Sequence, residues 1–268
     1  TRLAVELARA SLERYADGIF FVALAPLSSA DAIPAAIAHA LGIATQASDL
    51  QAAVLRFLRD KQMLLLLDNV EHLLDGVGLV AEIVQAAPQV QIIATSRARL
   101  LIYGEHVHQV DGLAYSAAVD APAVRLFVQS ARRTLSSFRL DDANLPAVMR
   151  ICRLVQGMPL GLELAAAWSA ALSLEDIAGE IGRNRDFLEA DWPDLPARQR
   201  SLRAVFLWSW GLLSAADRRV LRQCAVFRGS FTREAAEAVA GATLRTLTSL
   251  MHKSLLRRVE SRSTSAGA

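Results

Sequence analysis

Residues 64 to 73 read Leu64-Leu65-Leu66-Leu67-Asp68-Asn69-Val70-Glu71-His72-Leu73, and the four successive leucines constrain the fold more than any other stretch. A strand with one solvated face alternates apolar and polar residues, whereas an uninterrupted apolar run suits a parallel strand covered on both faces. Asp68 then stands at the strand's carboxyl end, where open α/β sheets bind their ligands. Any hydrophobic strand that turns at Asp-Asn looks the same, so the flanking segments carry the decision.

Leu3, Leu7, Ala8 and Leu12 fall at helical spacing, which places an amphipathic helix from the first residues onward. Gly18 to Leu24 has strand composition and Pro26 ends it. Helices are expected over 30–42, capped by Asp31 and ended by Gly42, and over 48–60. A strand at 63–68, a helix at 77–87, a strand at 91–95 and a last strand at 106–110 complete the α/β part. From Ala121 the periodicity is helical through 121–132, 143–156, 159–171 and 174–182. Two prolines in Asp191-Trp192-Pro193-Asp194-Leu195-Pro196 mark a linker into a final helix-rich module. There Ser214-Ala215-Ala216-Asp217 reads as a helix cap and Val226 to Gly229 as a short strand or turn, while the small, polar residues 261–268 read as a disordered tail.

With 268 residues and 53% apolar content the chain can bury a sizeable core in one to three domains. No stretch approaches the 18 or so uncharged residues of a membrane helix, and no signal-peptide pattern opens the chain, so a cytoplasmic protein without membrane partners is expected. Cys152 and Cys224 lie far apart in apolar helical patterns and read as buried thiols. The five histidines show no metal-ligand spacing; His106 and His108 alternate as on a partly exposed strand face. Net charge is +2 but uneven: residues 196–262 carry 13 Lys and Arg against 4 Asp and Glu, and residues 1–195 carry 16 against 23. A basic end of this kind either binds nucleic acid or attracts the acidic remainder of the chain.

An acid at the tip of a buried strand has the form of a Walker B element, whose aspartate holds the magnesium that bridges the terminal phosphates in P-loop nucleotidases. Gln91 to Arg97 is a second short strand ending in hydroxyls and an arginine, a cation able to reach a γ-phosphate. Gly157-Met158-Pro159-Leu160-Gly161-Leu162-Glu163-Leu164 breaks one helix and starts the next with proline in its first turn. Arg200-Ser201-Leu202-Arg203-Ala204 leads on to Trp208-Ser209-Trp210. In this order the elements resemble the STAND class of P-loop ATPases, the NB-ARC-like switches, and among them bacterial regulator ATPases that read GKTRLA, LLLLDNCEH, ATSR, GLPLALELAA and RSLRAxxxWSxxLL.

The resemblance covers essentially the whole chain and implies a fold that is α/β, then all-α. A parallel P-loop-type sheet lacking its first strand (1–115) would be followed by a helical lid (116–190) and a winged-helix-like domain (196–260). It implies ATP or ADP with Mg2+ as cofactors. Thr1 and Asp68 would be the metal-side residues, with Thr1 directly after a P-loop lysine. Asp68, Glu71 and Arg97 would serve the chemistry, with Arg97 as sensor of the γ-phosphate. Thr1, Asp68, Asn69, Arg97, Gly157 and Pro159 would contact nucleotide, Pro159 packing on adenine. Asn69 stands where many such ATPases have a glutamate base; Glu71 is the nearest substitute, and its other reading is a solvated or helix-capping acid.

The implied activity is slow hydrolysis that times a switch in a signal-responsive transcriptional regulator. DNA would be bound through another domain, and protein partners or self-association are expected. Three departures stand beside this. The P-loop glycines and lysine are absent, so these 268 residues are expected to bind ATP weakly and to be inactive. Leu207 and Trp208 replace the family's Asp-His. Met251-His252-Lys253 matches the family's Val-Asp-Lys better than its M-H-D sensor. The implied sheet order is 5-1-4-3-2, so residues 19–24, 63–68 and 91–95 should pair as 2-3-4 and leave 106–110 detached. The competing reading is a nucleotide-independent module that uses the basic end to bind protein or DNA.

Overall fold

The computed structural model describes residues 1–44, 49–116, 118–189 and 200–259. The linker at 191–196, the tail at 261–268 and the expected helix start at 48 lie outside them. The chain forms two compact units, Thr1–Val107 with Ser214–Ala268, and His108–Leu213.

The first unit begins with α1 (Arg2–Ala10), β1 (Ile19–Ala23), α2 (Ile33–Leu41) and α3 (Leu50–Leu58). It continues with β2 (Leu64–Asp68), α4 (Gly78–Ala86) and β3 (Gln91–Thr95). The three strands are parallel in the order β1-β2-β3, the 2-3-4 pairing expected. The central β2 is buried along its whole length. Leu65 and Leu67 pack into the core with Ile33, Ile37, Val54, Leu58 and Ile83, while Leu64 and Leu66 meet Ala4 and Ala8. Each of these leucines contributes about 2 kcal/mol by leaving water. That two-sided burial is why β2 tolerates no polar residue before Asp68.

Three expectations need correction. The buried face of α1 is Ala4 and Ala8, one turn apart, whose small side chains let the helix sit close on β2; Leu3 and Leu7 remain exposed. Asp31 caps no helix: Ser29 Oγ accepts from Asp31 N at the head of the short 3-10 turn 30–32, and α2 starts after Ala32 without a side-chain cap. Residues 106–110 form no strand, and Val107 and Val110 are exposed, although their detachment from the three-stranded sheet is as expected. Gly42 does end α2, in the left-handed conformation that lacks a Cβ penalty.

The second unit holds α5 (Pro122–Thr134), α6 (Leu145–Leu154), α7 (Pro159–Ala167), α8 (Leu174–Arg183) and α9 (Leu202–Gly211). Its core joins Val124, Phe127, Val148, Ile151, Leu162 and Ile177. The chain then returns to the first unit as α10 (Ala215–Cys224), α11 (Arg233–Ala240) and α12 (Leu244–His252). Residues 226–229 form no strand, and the described part of 214–259 shows no strand pair that would serve as a wing. Both cysteines are buried and free, and burial pushes the Cys152 thiol up to about 11. No helix among the described residues is long and apolar enough to cross a membrane.

Candidate functional site

The parallel register sets Asp68 opposite Thr95, so the last residues of β2 and β3 share the carboxyl edge of the sheet. Thr95 Oγ1 donates to Asp68 Oδ1 at 2.7 Å. Thr1 Oγ1, 67 positions earlier in sequence, donates to the same oxygen at 2.5 Å. Helix α1 makes this meeting: Ala4 and Ala8 seat it on β2, which carries the preceding residue to the strand tip. Asp68 is largely buried, yet its Oδ2 accepts no hydrogen bond from the described residues. A carboxylate with one oxygen held and the other open is the type of group that binds a hydrated divalent cation.

The turn after β2 is shaped by Asn69. Its backbone is left-handed (φ 72°), a conformation that asparagine tolerates better than most side chains. Its N–H donates to both the carbonyl and Oγ1 of Thr95, at 3.1 and 3.0 Å. The Asn69 amide lies 3.2 Å from His72 Nδ1, and His72 Nε2 lies 3.0 Å from the Leu27 carbonyl. With Nε2 donating and Nδ1 accepting, this histidine ties the loop after β1 to the tip of β2. Glu71 is neither solvated nor a helix cap: its side chain is 2% exposed, and Arg97 Nε lies 3.6 Å from its Oε1. Thr1, Asp68, Asn69, Glu71 and Arg97 are therefore brought to one edge, together with Thr95 and His72, which the sequence reading did not single out. Thr95 is recoverable only from the register of β2 and β3, although its position at the end of an apolar strand was visible.

Gly157 and Pro159 belong to the second unit. Pro159 opens α7 at its first turn. Gly157 (φ 66°) lies where the chain passes Gly112 and Leu113 at close quarters: a Cβ on Gly157 would come 2.0 Å from the Leu113 carbonyl oxygen, and one on Gly112 2.1 Å from that of Gln156. Leu113 N donates to the Gly157 carbonyl at 2.8 Å. This crossing accounts for both glycines by itself.

A second polar cluster lies among α10 and α12. Asp217, 3% exposed, accepts from Lys253 Nζ at 2.8 Å and from Ser249 Oγ at 3.0 Å, and its N–H donates to the Ser214 cap. Burial pushes the Asp217 carboxyl up, but the hydrogen bonds of Lys253, Ser214 and Ser249 together outweigh it and hold it below the usual carboxylate range. The sequence signal for this cluster was the Ser214 cap alone.

Over 265 residues, 96% of its length, the chain is 36% identical to the Mycobacterium tuberculosis (strain H37Rv) protein named "Putative HTH-type transcriptional regulator Rv0890c". The chain resembles mycobacterial proteins named as transcriptional regulators. A Mycobacterium bovis protein, "Putative HTH-type transcriptional regulator Mb0914c", matches to the same extent. The chain spans 29% of the length of each of these relatives. It is also 30% identical over 244 residues to "Uncharacterized protein Rv0894" of Mycobacterium tuberculosis, covering 89% of this chain and 60% of that protein. No protein-family model matches.

Proposed function

We propose that the α/β part of the first unit is the nucleotide-binding portion of a STAND-class ATP/ADP switch in a transcriptional regulator. The observation that carries this reading is the meeting of Thr1 and Asp68 at the tip of the central parallel strand. A hydroxyl and an open carboxylate oxygen at a strand's carboxyl end are what the metal side of a magnesium-nucleotide site requires. Bound there, magnesium would neutralise charge on the terminal phosphates. Thr1 and Asp68 would hold it, and Thr95 fixes the Asp68 rotamer through Oδ1.

Arg97, two residues past β3, supplies a cation for the γ-phosphate. The carboxylate nearest to Asp68 in sequence, Glu71, is engaged by Arg97, and Asn69 is no base, so neither offers a free general base. Slow hydrolysis follows, as suits a switch. The names of the mycobacterial relatives support the regulatory half of the reading.

The test is calorimetry with MgATP and MgADP on a chain in which a strand and a G-x-x-x-x-G-K segment precede Thr1. Micromolar binding is expected there, and at least about 100-fold weaker binding by the 268 residues alone, which contain no such segment. Asp68→Asn should remove most of the magnesium dependence while sparing metal-free ADP binding. Magnesium dependence that survives Asp68→Asn would overturn the assignment.

A further inference from the structure

Helices α11 and α12 are separated by three residues, Gly241, Ala242 and Thr243. Gly241 takes the left-handed conformation (φ 57°) and its N–H closes α11 on the Glu237 carbonyl. Thr243 then caps α12, its hydroxyl accepting from Thr246 N while Thr246 Oγ1 accepts from Thr243 N. Both helices pack on α10, with Val220, Cys224, Ala236, Ala240, Leu247 and Leu250 buried between them. Two helices joined by a three-residue turn containing glycine and braced by a third have the connectivity of a helix-turn-helix, which reads DNA with the amino-terminal residues of its second helix.

The surfaces of α12 are divided accordingly. Leu247 and Leu250 face the core, and the His252 carbonyl accepts from Arg99 N, so the carboxyl end is anchored on the segment after β3. Thr243, Leu244 and Arg245 at the amino end are exposed. The exposed charge is mostly positive. Asp217 is buried against Lys253, so those two charges cancel inside the module. Outside it, Arg219, Arg222, Arg228, Arg245, Arg257 and Arg258 are exposed, against Glu234 and Glu237. Arginine is suited to phosphate by its fixed fork of donors.

We propose that α10, α11 and α12 bind double-stranded DNA, with the amino end of α12 in the major groove and the flanking arginines on phosphates. This site is separate from the strand tips and stands whether or not nucleotide binds there.

The experiment is fluorescence anisotropy of the 268-residue chain with a labelled mixed-sequence duplex of about 30 base pairs. If roughly four phosphates are neutralised, the log affinity against log salt should have a slope of about −3 to −4, an affinity loss on the order of 100-fold between about 50 and 200 mM salt. Arg245→Ala, an exposed change, should reduce the slope by about one and weaken binding about tenfold. The pair Arg257→Ala and Arg258→Ala should reduce the slope by about two. Arg150→Ala, on an exposed arginine of α6, should change nothing. The proposal is overturned by absent binding at about 50 mM salt in a chain that is folded by circular dichroism. An unaltered slope for Arg245→Ala, or equal losses for Arg150→Ala, would also overturn it. Binding of polyglutamate as tight as that of DNA would reassign the surface to an acidic protein partner.

Discussion

Taking a carboxylate out of water costs several kcal/mol unless a cation and hydrogen bonds compensate, and at Glu71 that cation is Arg97. Arg97→Ala should therefore destabilise the chain by about 2 kcal/mol, less than the 3 to 5 of a fully buried pair, because the arginine keeps nearly a third of its surface in water. Adding Glu71→Gln should recover part of the loss, which urea denaturation of the single and double variants will show. In a chain that carries the P-loop segment, the same arginine has a second role to reveal. If it senses the γ-phosphate, Arg97→Ala narrows the difference between ATP and ADP affinity and leaves ADP binding nearly unchanged; equal losses would assign it to Glu71 alone. Gly157 is a case with no electrostatics. A methyl group there would meet the Leu113 carbonyl oxygen at 2.0 Å on a backbone with φ 66°, so Gly157→Ala should cost about 3 kcal/mol or more. A loss below about 1 kcal/mol would mean that the two passing segments separate easily.

Among the helices, the joint between α10 and α12 depends on pH in a definite direction. Asp217 titrates below the usual carboxylate range in the folded chain. Its contribution is thus complete above the unfolded value of about 3.9 and is lost as pH falls through the lower, folded one. Lys253→Met should cost about 3 kcal/mol at neutral pH. The gap between variant and wild type should shrink only below about pH 4, as followed by denaturation across pH; a gap that closes between pH 6 and 8 would place the effect elsewhere. How much of this was legible in the sequence differs by element. Four leucines announce β2 because burial on both faces admits no other pattern, and the order β1-β2-β3 is the one that the family resemblance implied. The face of α1 was misread in part: Ala8 lies on it as expected, but hydrophobicity favours Leu3 and Leu7 where close approach to β2 selects Ala4. Residues 106–110 have strand composition but join none of the three described strands. At the site, Asp68 was visible from the strand end, but Thr95 and His72 required the register and the turn that only tertiary structure supplies. Glu71 was misjudged for the same reason, since its partner lies 26 positions away.

Each of the two compact units has a hydrophobic core drawn from its own residues, Val22 to Val90 in one and Ala121 to Leu188 in the other. Calorimetry should accordingly resolve two unfolding transitions. Gly157→Ala should lower one of them and Lys253→Met the other, and a single transition shifted equally by both changes would refute independent cores. The chain leaves the first unit at Val107 and re-enters it at Ser214, so that unit is discontinuous in sequence. On a translating ribosome, this order means that the later-begun unit is finished first. At about 5 to 20 residues per second, the 106 positions between the two halves take roughly 5 to 20 s to synthesise. During that interval β1, β2 and β3 have emerged without α10, α11 and α12, and the segment at Arg99 awaits the carbonyl of His252. The nascent sheet is exposed to chaperones and proteases for all of that time, and synonymous codons across residues 108–213 would set how long the exposure lasts.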